Sequence, residues 1–88
     1  MKTLLETSTY FTYVKTEVVS GIEFEVYLDD YGMSYVLAWR DPINNTICEW
    51  GCGTCNDYHI EMLDIANYLV KNLTKESGNS KEKILDEN

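Results

Sequence analysis

Ile22, Phe24, Val26 and Leu28 alternate with Glu23, Glu25, Tyr27 and Asp29. A period of two places one set on each face of a pleated strand, which the 3.6-residue period of a helix cannot do. The segment therefore demands a sheet with an apolar face, and the rest of the chain must supply its neighbours. Residues 8–20 read as the preceding strand, because Tyr10-Phe11-Thr12-Tyr13-Val14 and Glu17-Val18-Val19 are aromatic and β-branched. Ser20-Gly21 is a turn signal between the two. Asp29-Asp30-Tyr31-Gly32 reads as the next hairpin turn, with Gly32 expected to take a positive φ. Residues 33–40 form a third strand, with Tyr35, Leu37 and Trp39 on one side and Val36 and Ala38 on the other. Asp41-Pro42-Ile43-Asn44-Asn45 is a turn with Pro pre-set for it, and Thr46 to about Trp50 is a shorter fourth strand.

Gly51 and Gly53 then loosen the chain, and Asn56 or Asp57 can cap a helix running to about Leu73. Met62, Ala66, Leu69 and Leu73, with Leu63 and Val70 beside them, give it an apolar stripe, while Asp57, Glu61, Asp64 and Tyr68 fall on another face. The expectation is an α+β fold: a three- to four-stranded antiparallel sheet followed by one C-terminal helix on one face, in the order ββββα. Residues 1–73 make the single domain. Residues 74–88 are polar and nearly neutral, are interrupted by Ser77-Gly78-Asn79-Ser80, and are expected to be a frayed or disordered tail. The sheet face away from the helix is left to water, a partner or a second copy.

Charge narrows the function. From Glu17 to Asp64 there are ten acidic side chains and one basic one, Arg40, while the whole chain of 88 residues carries −8. The excess lies in the folded part rather than in the tail. Such a surface repels itself, a nucleic-acid backbone and an anionic membrane alike, and attracts a basic protein. Direct nucleic-acid or membrane binding is therefore not expected. The apolar run at Leu4-Leu5 is too short for a signal peptide and no stretch approaches a membrane span, so the expected address is cytoplasmic.

Cys48-Glu49-Trp50-Gly51-Cys52-Gly53-Thr54-Cys55 invites three readings. Its C-x3-C-x2-C spacing resembles the cluster-binding signature of radical S-adenosylmethionine enzymes, a family that needs a large barrel this chain cannot build. Cys52-Gly53-Thr54-Cys55 before a helix resembles a thioredoxin-type redox pair, but the βαβ unit that carries that motif is missing. Cys48, Cys52, Cys55 and His59 together are a potential zinc set, although structural zinc sites usually staple distant segments and these four are local. The favoured reading is cysteines in a reducing compartment, with no metal, cofactor or catalytic residue assigned. His59 has no nameable catalytic partner, and so small a unit rarely offers a cleft, so an enzyme is not expected.

The carboxylates themselves are the candidate site. Glu23 and Glu25 are spaced about 6.6 Å along a strand. Asp57, Glu61 and Asp64 step by about 6 and 4.5 Å along a helix. A duplex strand advances about 3.4 Å per phosphate, so such carboxylates can occupy Lys and Arg pockets built for phosphates. The partner-binding candidates are Glu23, Glu25, Tyr27, Asp29, Asp30 and Tyr31 on the sheet, and Asp57, Glu61, Asp64 and Tyr68 on the helix, with tyrosines as interface anchors. By size, charge and simple topology the chain resembles the small acidic inhibitors that bacteriophages and mobile elements use against restriction, CRISPR-type and other nucleic-acid-binding effectors. That resemblance implies a non-enzymatic nucleic-acid mimic with a basic partner. Two alternatives stand beside it: a zinc-stabilised or thiol-active domain built on Cys48, Cys52, Cys55 and His59, and a homodimer or larger homo-oligomer pairing its open sheet face.

Overall fold

The computed structural model describes residues 2–31, 33–53 and 57–86, the stretch 74–86 as backbone. Four strands, β1 (Phe11–Val19), β2 (Ile22–Asp29), β3 (Ser34–Arg40) and β4 (Ile47–Gly51), precede one helix, α1 (Tyr58–Asp86). The strands form one antiparallel sheet in sequence order. This is the expected ββββα arrangement. Short connections leave each strand no neighbour but the next one along the chain.

The turns follow local chemistry. Val19 pairs with Ile22, and Ser20 (φ 53°) and Gly21 (φ 82°) make a two-residue link with both residues left-handed. That twist matches the strands it joins. In the β2–β3 hairpin a positive φ of 52° falls on Met33; Gly32, the residue expected to take it, lies outside the described residues. The Asp41 carboxylate accepts the N–H of Ile43 at 2.8 Å and the Asn44 side-chain amide at 3.2 Å, which folds the β3–β4 turn over Pro42.

Cross-strand partners share a face. Ile22, Phe24 and Val26 of β2, with Leu37 and Trp39 of β3, turn towards α1 and bury against Tyr58, Met62, Ala66 and Leu69. The helical stripe is shifted from the expected one. Tyr58 and Ile65 join it, whereas Leu63 is 48% exposed and Leu73 37%. Leu63 lies about 100° round the helix from Met62, whereas Ile65 and Ala66 fall within about 60° of it on either side, so Leu63 is at the margin of the buried stripe. Nor does the helix stop near Leu73; it continues to Asp86. Gly78 costs only about 1 kcal/mol in a helix interior, and the lysines and glutamates around it are good helix formers.

The second sheet face differs from expectation. Between Tyr13 and Lys15 the β1–β2 register shifts, leaving Val14 as an extra residue. A bulge exchanges the sides that follow it. Before it, Phe11 and Tyr13 point away from the helix and pack on Tyr27, with ring centroids 5.1 and 5.9 Å away. After it, Lys15, Glu17 and Val19 point towards the helix. The N-terminal segment then crosses the face that the sequence leaves open. Leu4 N–H donates to Glu25 Oε1 at 2.8 Å and Leu5 N–H to the Tyr27 hydroxyl at 3.0 Å. Tyr27 and Ala38, on this face, are fully buried.

Candidate partner-binding surface

The expected site residues separate into two groups on opposite sides of the sheet. Glu23, Glu25, Tyr27 and Asp29 share the face away from α1, while Asp57, Glu61, Asp64 and Tyr68 belong to the helix side. The acids therefore do not form one patch.

On the first side Glu23 is exposed, but Glu25 is half-buried and Tyr27 has no exposed surface. The Tyr27 hydroxyl donates to the Glu25 carboxylate, which also takes the Leu4 N–H. Burial, and then this hydrogen bond, raise the Tyr27 pKa. Tyr27 is thus a core residue and not the contact residue that alternation with acids implies. Asp29 is also turned inward to its own hairpin, accepting the Tyr31 N–H at 3.1 Å. Asp30 is exposed, and Tyr31, 79% exposed, leans on Tyr10 with ring centroids 4.6 Å apart.

The helix side holds a groove of about 540 Å³ between β4 and α1. Its walls are Trp39, Cys48 and Trp50 from the sheet and Ile65, Tyr68 and Leu69 from the helix; its rim is Asp41, Glu61 and Asp64. Cys48 and Trp50 pair with Trp39 and Leu37, so all four share the helix-side face. The groove exists because α1 lies nearest β1 and leaves the last strand partly uncovered. Trp50 Nε1–H donates to Glu61 Oε1 at 2.9 Å, which fixes one ring at the rim. Trp50 remains 51% exposed and Tyr68 65%. Trp39 is buried, and its indole N–H has no acceptor among the described residues. No lysine or arginine lines the groove. Glu61, Asp64 and Tyr68 fall together as their helical spacing implies. Trp39, Trp50, Cys48 and Asp41 are the residues that reading missed. The available signal was the common parity of Cys48 and Trp50, which puts both on one face of β4.

At the other edge, Glu17 bridges two elements. Lys15 Nζ lies 2.7 Å from its carboxylate, and Lys15 also sits 5.6 Å from the Tyr58 ring centroid. His59 Nε2 is 3.1 Å from the same carboxylate oxygen, and an ionised carboxylate can only accept, so the imidazole N–H donates. The Lys15 hydrogen bond, then that of His59, lower the Glu17 pKa, and Glu17 in turn raises that of Lys15. Asp57 Oδ1 is 3.8 Å from His59 Nδ1.

This placement bears on zinc. His59 is anchored to β1, whereas Cys48 is on β4, three strand spacings or about 14 Å across the sheet. As placed, His59 is turned to Glu17 of β1, and Cys48 belongs to the opposite edge strand. Cys52 is buried in the core at the end of β4, and Cys55 lies outside the described residues. Among the described residues no group of three or more His, Cys, Asp or Glu side chains is placed to hold a metal ion. No described helix is long and apolar enough to cross a membrane. No protein-family model, curated protein or solved structure matches the chain.

Proposed function

We propose that this is a small non-enzymatic binding protein that occupies a basic, nucleic-acid-binding site of another protein, acting as an inhibitor by nucleic-acid mimicry. The observation that supports the reading most is the concentration of carboxylates without local counter-ions. Glu23, Asp30, Asp41, Glu49, Glu61 and Asp64 have no lysine or arginine within 4 Å among the described residues, and Lys15 is spent on Glu17. Fixed, unneutralised charge costs the free protein self-repulsion that a cationic partner reverses. The split of the acids over two sheet faces narrows the working surface to the helix side, where Glu61, Asp64 and Asp41 stand beside exposed Trp50 and Tyr68. Aromatic anchors within a charged rim are the usual composition of an interface centre.

The test is competition. The protein is titrated into complexes of labelled duplex DNA with a panel of basic nucleases and repressors. Displacement from at least one, weakening steeply with salt and abolished by Glu61→Lys with Asp64→Lys, is the expected result. Displacement that ignores salt and the double substitution overturns the reading.

A further inference from the structure

The geometry points to β4 as a docking edge: we infer that an extended basic segment of the partner adds to the sheet there as a fifth strand, with a cationic side chain seated in the groove between β4 and α1. The inference rests on the proposed binding role and specifies its mode.

The edge is the first observation. Asp41 N–H donates to Thr46 O at 2.7 Å and Cys52 N–H to Tyr35 O at 2.8 Å, at the two ends of β4. In an antiparallel ladder successive residues turn their backbone groups to alternate sides. Thr46, Cys48, Trp50 and Cys52 thus face β3, and Ile47, Glu49 and Gly51 face away with no backbone partner among the described residues. The other edge is protected differently. β1 carries the Val14 bulge, and Phe11 at its start already exchanges backbone hydrogen bonds with Ser8, at 2.8 and 3.4 Å. Bulges are how edge strands avoid pairing, and β4 has none.

Charge chooses the occupant. Side chains of an added strand alternate between the two faces. Those on the helix side lie beside Trp50 and reach Glu61, Asp64 and Asp41, with Tyr68 opposite. Those on the other side meet Glu49, which is exposed and in register with Ala38. Both sets encounter carboxylates. Arginine suits the groove best, because its planar guanidinium stacks on an indole while its edge takes a carboxylate. Backbone pairing with alternate side-chain pockets is an established way to read an extended peptide.

The probe is a nine-residue peptide alternating arginine with valine and threonine, added to the full chain at low salt. Binding should quench indole fluorescence and slow hydrogen exchange at the amides of Ile47, Glu49 and Gly51. Glu61→Gln with Asp64→Asn should weaken it about tenfold, since charge-assisted contacts are lost while Gln keeps an acceptor for Trp50. A peptide of the same sequence methylated on every backbone nitrogen should not bind. Equal binding of the methylated peptide, or unchanged exchange along β4, overturns strand addition but leaves an acidic binding protein. Failure of both peptides to bind overturns strand addition and the proposed binding role together.

Discussion

His59 on the first turn of α1 and Glu17 on β1 are joined by a 3.1 Å contact across 42 residues of sequence. Lys15, two residues before Glu17, meets the same carboxylate oxygen at 2.7 Å. The contact ties the first turn of α1 to β1, the edge strand opposite β4, beside the apolar core that seats the helix.

Glu17→Gln should therefore destabilise the fold, though by only about 0.5 kcal/mol, because the bridge is partly solvated. The folded-state pKa of Glu17 is depressed, so its contribution is complete above the ordinary carboxylate value of about 4.3 and is lost as pH falls through the lower folded value. Urea midpoints of both proteins, followed from neutral pH into acid, should converge. A gap that stays constant would deny the bridge any role.

Tyr27→Phe should cost more, about 1–2 kcal/mol, because it strands the half-buried Glu25 carboxylate and the Leu5 N–H without their shared hydroxyl. The sign of its pH dependence is opposite to that of Glu17. The Tyr27 pKa is raised in the folded state, so its stabilisation is full below the ordinary value of about 10 and is lost as pH rises through the higher folded one. Denaturant melts of wild type and variant at neutral and strongly alkaline pH measure both effects.

The turns make two opposed predictions. Gly21→Ala should cost about 1–2 kcal/mol, since φ is 82° there and a Cβ penalises the left-handed region even in open space. Met33→Asn should gain about 0.5 kcal/mol, because asparagine tolerates the 52° that methionine resists. Thermal unfolding of the two variants should move in opposite directions.

Trp39→Phe should stay within about 1 kcal/mol of wild type, because it removes a buried N–H that has no acceptor while keeping an aromatic ring on Phe24. Leu37→Ala, next to it in the core and fully buried, should cost about 2–5 kcal/mol. Calorimetry of the two proteins checks the contrast, and equal losses would mean that Trp39 contributes chiefly through volume.

Much of the architecture was legible because its signals are local. Alternation from Ile22 to Asp29, the Ser20-Gly21 turn and the 62–66–69 spacing each need only a few neighbouring residues to act. The identity of the contact residues was not. Tyr27 occupies the solvent phase of an alternating strand, yet Phe11, Tyr13 and the segment at Leu4-Leu5 close over it. Alternation reports which residues share a face, not whether that face is wet.

The sequence alone determined the antiparallel order, the apolar faces that must meet and the excess of negative charge, since periodicity, turn chemistry and composition act over short spans of chain. Only the tertiary structure decided that the acids fall on two sides of the sheet, that Glu25 and Tyr27 are tied up beneath the N-terminal segment and that Glu61, Asp64 and Asp41 rim an aromatic groove. Those outcomes depend on the register shift at Val14, which turns Phe11 and Tyr13 onto Tyr27, and on the packing of α1 on the opposite face. Both are set by packing between segments far apart in the chain, where no local pattern carries the information.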